Sequence, residues 1–333
     1  MAKLSPEEIE SRLLAAVRRG LGADSKVENL TRLSGGASQE TWSFDAASDG
    51  GEKIPLILRR DTPNAAHAIP KAAEYELLEA AQASGVPVPK LFFFLAKDDG
   101  LGNGYVMGRV EGETIPRKIL RDEPYKPALP KLAAQCGQIL SRIHSIPVST
   151  LRSFPPIPAN ELPAKALLEG QVRLLDSFGE AHPAFELAIR WLQERIPPAG
   201  RVCLVHGDFR NGNLLIGPDG VRAVLDWELA HLGDPLEDLG WLCVKSWRFG
   251  VNEKPVGGFG PREDLFAAYE KASGIQVDPE AVRFWEVYGN LKWGLICRLQ
   301  AGFHLNNLRR SVELAALGRR VCEMEWDILE MIG

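Results

Sequence analysis

Asp208, Asn213 and Asp226 are the residues of this chain whose types and spacing could do chemistry. They stand in His206-Gly207-Asp208-Phe209-Arg210-Asn211-Gly212-Asn213 and in Leu225-Asp226-Trp227-Glu228. Transfer of a phosphoryl group needs a carboxylate to orient the attacking hydroxyl, and oxygen ligands for the Mg²⁺ that accompanies nucleotide phosphates. Asp208 fits the first role; Asn213 and Asp226 fit the second. Mg²⁺ keeps waters and phosphate oxygens for most of its shell, so two protein oxygens suffice.

The spacing sharpens this reading. Asp208 and Asn213 stand at the Asp-x-x-x-x-Asn interval of kinase catalytic loops. After them come two apolar runs, Leu214-Leu215-Ile216 and Val221 to Leu225, joined by Gly217-Pro218-Asp219-Gly220, a β-hairpin signature. With Ile216 opposite Val221, Asn213 is expected opposite Val224, and Asp226 leaves from the same end of the ribbon. Arg210 lies between the base and the metal ligand, where it can neutralise the transferred group or anchor an anionic acceptor; a solvated loop position is the alternative. His206 is expected to brace the loop backbone, and Asp238 to serve as a cap or loop brace. Gly35-Gly36 sits between two strand-like segments, where glycine lets backbone N–H groups approach phosphate oxygens or simply makes a turn.

The run from Leu204 to Asn213, with Leu225-Asp226-Trp227-Glu228-Leu229-Ala230-His231-Leu232-Gly233-Asp234-Pro235 continuing to Leu239, resembles the aminoglycoside phosphotransferase (phosphotransferase enzyme) family. Its Trp-Glu and Gly-Asp-Pro wording is most similar to the branch that includes the kinase-like domains of acyl-CoA dehydrogenase family members 10 and 11. The resemblance extends from about Leu33 to Leu242. It implies an α+β, bilobal, protein-kinase-like fold, with a small β-rich nucleotide lobe over residues 1–111 and a larger, mostly helical lobe over 112–333. It also implies Mg²⁺ and ATP, with GTP as the alternative nucleotide, and a small-molecule hydroxyl as acceptor.

Further residues follow from the resemblance. Leu56-Ile57-Leu58-Arg59 occupies the place of the strand that carries a phosphate-binding lysine in protein kinases, which puts Arg59 on the phosphates with Arg60 as its rival. Arg keeps the charge and can clamp phosphate in a fork. Its partner is expected on the following helix: Glu74 shares a face with Leu77, Leu78 and Ala81, so it lies on the buried stripe and needs a cation, unlike Glu76. Tyr105-Val106-Met107-Gly108-Arg109 resembles the strand leading to the adenine-reading hinge, which brings in Met107 and Arg109. Ser38 is a phosphate contact by the same resemblance, although Gln39 stands where the family usually has Asn.

Composition bounds the partners. The chain has 333 residues, 45% hydrophobic and 25% charged, with a net charge of -5, which argues against a nucleic-acid footprint. Its cysteines, Cys136, Cys203, Cys243, Cys297 and Cys322, include no Cys-x-x-Cys pair and suggest neither disulfides nor zinc. No apolar run reaches the roughly 18 residues of a membrane span, so a cytoplasmic protein without membrane contact is expected. The rival to a catalyst is a nucleotide-binding pseudokinase with a regulatory or scaffold role; intact Asp208, Asn213 and Asp226 speak against it.

The elements that must position these residues can be outlined. Ser5-Pro6-Glu7-Glu8 opens a helix. Strands are expected at Val27 to Leu33, Thr41 to Phe44, Ile54 to Arg60, Leu91 to Leu95 and Tyr105 to Val110, with a helix from Pro70 to Ser84. Beyond Glu113 the pattern turns helical: Pro130 to Ile146, Glu161 to Phe178, Ala184 to Arg195, Pro261 to Ser273, Pro279 to His304 and Leu308 to Met331, interrupted only by the hairpin.

Overall fold

A computed structural model describes residues 4–33, 39–47, 51, 53–62, 69–154, 162–198 and 200–333. Helix α1 (Pro6–Leu21) opens with a capping box in which Ser5 accepts the Glu8 N–H and Glu8 accepts that of Ser5, satisfying two amides that the helix itself leaves free. Its apolar stripe of Ile9, Leu13 and Val17 packs on an antiparallel sheet ordered β1-β2-β3-β5-β4. The strands are β1 (Lys26–Arg32), β2 (Gln39–Ala47), β3 (Lys53–Asp61), β4 (Leu91–Phe94) and β5 (Gly104–Gly108), and helix α2 (Lys71–Ala83) covers the opposite face. The period-2 alternation of β3 divides the faces: Leu56 and Leu58 meet α1, whereas Ile57 meets Leu77 of α2.

The second lobe is built from α3 (Pro116–Arg121), α4 (Leu129–His144), α5 (Pro163–Phe178), α6 (Pro183–Gln193), the strands β6 (Cys203–Val205), β7 (Leu214–Gly217), β8 (Gly220–Val224) and β9 (His231–Gly233), then α7 (Leu236–Cys243), α8 (Arg262–Ser273), α9 (Pro279–Leu305), α10 (Val312–Gly318) and α11 (Val321–Ile332). Here β7 pairs with β8, and β6 with β9. One apolar core runs without a break from Ile57, Leu77 and Tyr105 of the first lobe to Leu132, Leu204 and Tyr269 of the second. A separate core joins Phe185, Trp285, Tyr288 and Leu295 to Met324 of α11. The β7–β8 hairpin is fastened at two places: Glu113 and Ile216 exchange backbone hydrogen bonds of 2.9 Å each, and the Val224 N–H donates to Pro87 O, between α2 and β4, at 2.8 Å.

Three local expectations are corrected. The helix expected from Leu308 to Met331 is two helices, α10 and α11, because the chain turns at Gly318-Arg319-Arg320, and glycine is a poor helix former. The β6–β9 pair also interrupts the helices, with strands too short to show a period. In the hairpin, Leu214 lies opposite Val224 and a register shift falls between Leu215 and Ile216. Arg222 is thus the extra residue of a bulge, and Asn213 moves one place along, so that its carbonyl accepts the Leu225 N–H at 2.8 Å.

Candidate active site

The loop that carries Asp208 is held from behind by a buried carboxylate. Asp238, in α7, accepts the N–H groups of His206 (2.7 Å) and Gly207 (2.9 Å), and its Oδ2 meets His144 Nε2 at 3.1 Å. His144 Nδ1 in turn meets the Tyr269 hydroxyl at 3.0 Å. His206 braces the same loop: its Nδ1 accepts the Asp208 N–H at 3.2 Å and its Nε2 meets Leu225 O at 3.1 Å. Burial lowers the His206 pKa, which favours the neutral ring this pairing uses. Gly207 has φ 74°, and a Cβ there would stand 2.3 Å from Leu229 O, so only glycine fits where the loop crosses that backbone.

Asp208 itself is surrounded by donors. Its Oδ1 accepts Arg210 Nε at 3.0 Å and the Trp241 indole N–H at 2.9 Å, and its Oδ2 accepts Asn213 Nδ2 at 2.6 Å. Asn213 Nδ2 also donates to Asp208 O at 3.0 Å, which leaves the amide oxygen as the end free for a cation. Asp226 follows directly on the Leu225–Asn213 pairing and adopts the left-handed region (φ 63°, ψ 65°), an uncommon conformation for a non-glycine residue that recurs at functional sites. Its side chain is 38% exposed, against 14% for Asp208. Both side chains offer oxygens of the kind Mg²⁺ takes, at one end of one ribbon. Among the described residues no cluster of three or more His, Cys, Asp or Glu side chains could hold a metal on its own.

The cleft face of the sheet supplies the cation. Arg59 reaches Glu74 (Nε to Oε1, 3.3 Å), Asp226 (2.8 Å) and the Gln39 side-chain oxygen. Burial works against the Arg59 charge, but Tyr105, Glu74 and Asp226 outweigh it and raise its pKa. Glu74 is buried and further accepts the Tyr105 hydroxyl at 2.9 Å and the Lys71 ammonium. Gln39 bridges Arg59 to Glu228, its Nε2 lying 3.2 Å from Glu228 Oε2. Glu228 has a raised pKa through burial and then through the Asp226 charge. Arg60 points the other way, to Glu40 at 3.3 Å, as alternation along β3 requires. Glu76 lies away from the cleft and accepts the N–H groups of Arg152 and Ser153.

Met107, paired with Ile57 across β3 and β5, shares the cleft face with Arg59. The Arg109 guanidinium lies along the same face and donates to Ser43 at 2.7 Å and Asp45 at 2.8 Å. Gly35, Gly36 and Ser38 lie outside the described residues. Lys292 and Lys71 carry no sequence signal of a site role, and Trp241 stands in sequence only as one of several aromatic residues of the helical lobe. Lys292 donates to Gly207 O at 2.9 Å and stands 4.7 Å from the Trp241 ring centre, while Arg210 stands 4.6 Å from that of Trp247. Trp247 packs against Trp241 and Trp293, with ring centres 5.1 Å and 4.9 Å apart, so an aromatic wall faced by cations stands beside Asp208.

Known proteins share this fold. A family model, the phosphotransferase enzyme family, matches residues 29–285. Mouse acyl-CoA dehydrogenase family member 10 is 33% identical over 310 residues, covering 84% of this chain and 27% of that protein. Human family member 11 is 28% identical over 249 residues, covering 66% of this chain and 30% of that protein. The chain thus spans less than a third of the length of these relatives. Among solved structures, a candidate aminoglycoside phosphotransferase of Ralstonia eutropha superposes with a TM-score of 0.74 at 22% identity, covering 96% of this chain and 98% of the other. A thermostable aminoglycoside phosphotransferase APH(4)-Ia, solved with ADP and hygromycin B, superposes at 0.65 with 16% identity, covering 98% and 99%. These likenesses establish the bilobal, kinase-like fold, and with the family match over residues 29–285 the chain belongs to the phosphotransferase enzyme family.

Proposed function

We propose that the chain transfers the γ-phosphoryl group of ATP to a hydroxyl of a small metabolite. The observation that carries this reading is the convergence of Asp208, Asn213 and Asp226 on one mouth of the cleft, with Arg59 reaching Asp226 from the sheet above. In the reaction, Asp208 orients the acceptor hydroxyl and takes its proton. The hydroxyl oxygen forms a bond to the γ-phosphorus as the bond to the β–γ bridging oxygen breaks and ADP departs. Asn213 and Asp226 would hold Mg²⁺, which when bound neutralises charge between the β- and γ-phosphates. Arg59, anchored by Glu74, clamps phosphate oxygens, and Arg210 faces the transferred group from the acceptor side. Gly35, Gly36 and Ser38 are the further phosphate contacts of this reading, Met107 and the Arg109 backbone border the adenine, and the lobes divide at Glu111–Gly112.

For the acceptor we favour a neutral or anionic hydroxylated metabolite with an apolar portion, such as a hydroxyacyl compound. The aromatic wall faced by Arg210 and Lys292 supports this, and so does the similarity to two proteins named for acyl-CoA chemistry. A metabolite extract incubated with labelled ATP and the protein, read by mass detection, tests the reading. A phosphorylated product that depends on Asp208 supports it; slow ATP turnover without product across broad acceptor panels favours a regulatory pseudokinase.

A further inference from the structure

The donors around Asp208 are distributed unevenly between its two oxygens. An ionised carboxylate offers about four lone-pair sites. Arg210 and Trp241 occupy both sites of Oδ1, and Asn213 occupies one of Oδ2. One acceptor position is left, on Oδ2. Arg210 is mobile in type, a long cation on the loop itself. Trp241 is different: it is buried in α7, packed on Trp247, and capped by Lys292, which also donates to the loop at Gly207 O. Lys292 is fixed from behind by Glu237, 3.5 Å away. The indole N–H thus comes from a buried side chain held by Trp247 on one side and Lys292 on another.

We propose that Trp241 is a positioning residue for the transfer: its indole N–H holds Oδ1 and turns the open lone pair of Oδ2 toward the acceptor hydroxyl, whose proton moves to Oδ2 as its oxygen bonds to the γ-phosphorus and ADP leaves. This rests on the proposed role of Asp208 as base. Its distinctive content is that a neutral donor with no charge to offer the phosphates sets the direction of the base. Loss of that donor lowers turnover without touching nucleotide affinity.

The test uses the full chain labelled with [¹⁵N]tryptophan, whose eight tryptophans give eight indole N–H signals. The Trp241 signal is identified by its loss in Trp241→Phe. At a single pH, Asp208→Asn should displace that signal well beyond the other seven. In parallel, the slow hydrolysis of Mg-ATP, with water in the acceptor's place, should fall about tenfold in kcat in Trp241→Phe while the KM and calorimetric Kd for Mg-ATP stay at the parent's values. If none of the eight indole signals moves in Asp208→Asn, the contact is overturned, even where Trp241→Phe fails to fold. Parental hydrolysis by Trp241→Phe overturns the positioning role, and so does a loss that appears equally in Kd. Parental hydrolysis by Asp208→Asn is a separate signature: it removes the base itself, and the inference with it.

Discussion

Asp208 and Asp226 carry the same charge in opposite surroundings, and their removal should therefore be felt in different measurements. Asp208 is ringed by protein donors; Asp226 is more open and faces Arg59. Asp208→Asn should lower phosphoryl transfer by about 10²–10⁴-fold while Mg-nucleotide binding stays close to the parent's, because the lost group acts on the acceptor hydroxyl. Retention of most of the transfer rate would exclude the role. Asp226→Ala should weaken Mg-ATP binding more than Asn213→Ala does, since a charged ligand contributes more to a hard cation than a neutral amide. Calorimetry decides this, and if both variants bind as the parent does, the metal lies elsewhere.

Asp238 invites a test of stability at the same scale. Burial works to raise its pKa, but the His144 hydrogen bond and charge, His206 and the loop N–H group hold it below the ordinary carboxylate value. A depressed folded pKa means that the ionised group contributes stability in full above the unfolded value of about 3.9, and that this is lost as pH falls through the folded value. Asp238→Asn should thus be destabilised by about 2–4 kcal/mol at neutral pH, the scale of a broken buried ionic network. The gap from the parent should narrow below about pH 4. Denaturant unfolding across that range measures it; a gap that does not change with pH shows that the ionised carboxylate is not what braces the loop.

Among the elements, α7 has the tightest constraint, because it must hold both Asp238 and Trp241 against the catalytic loop. Gly240 lies between them in sequence and against α9 in space: a Cβ there would stand 2.5 Å from Trp285 Cβ and 2.9 Å from Glu286 N. Backbone of a long packed helix cannot give way, so Gly240→Ala should push α7 off α9. The expected cost is about 1–3 kcal/mol, typical of overpacking, with a fall in turnover as Trp241 shifts from Asp208. Thermal unfolding and kcat measured together check it; a variant as stable and active as the parent would show that the two helices have room to move.

What could be read from sequence at this scale was what local periodicity encodes. The capping box of α1, the buried stripe that carries Glu74, and the hairpin between Asn213 and Asp226 each follow from spacings within a dozen or so residues. The alternation of Leu56 and Leu58 also separates Arg59 from Arg60, once it is known which face α1 covers. What escaped depends on long closures. Trp241 meets Asp208 only because α7 folds back on the loop, and β6 pairs with β9 across the whole hairpin through strands of three residues. The bulge at Arg222 leaves no mark in an alternating apolar run; its side chain is held by Asp219 in the turn at 2.9 Å and, outside the hairpin, by Glu111 O at 3.0 Å.

Over the whole molecule, the mild net charge of -5 coexists with a row of cations along the aromatic wall beside Asp208, each paired with one carboxylate: Arg210 with Asp208, Lys292 with Glu237 and Arg320 with Glu323. Arg210, Lys292 and Arg320 lie 4.6, 4.7 and 5.9 Å from the ring centres of Trp247, Trp241 and Trp293. The carboxylates of α9 are not free to oppose them. Glu286 is held by Arg248 at 2.8 Å and Arg262 at 2.6 Å, and Glu280 stands exposed in the first turn of the helix. Arg298, further along α9, is engaged by Glu180. An aminoglycoside carries several ammonium groups and needs clustered carboxylates to compensate them, whereas Asp208, Glu237 and Glu323 beside this wall are each already engaged by a cation of the chain. Aminoglycosides of the kanamycin type should therefore be poor acceptors, with kcat/KM well below the ~10⁴ M⁻¹s⁻¹ that marks the lower range of enzymes on their own substrates. Steady-state kinetics with such compounds gives a direct answer: efficient phosphorylation would mean that the cations are screened or displaced when the acceptor binds, and that the reading of this surface as anion-accepting is wrong.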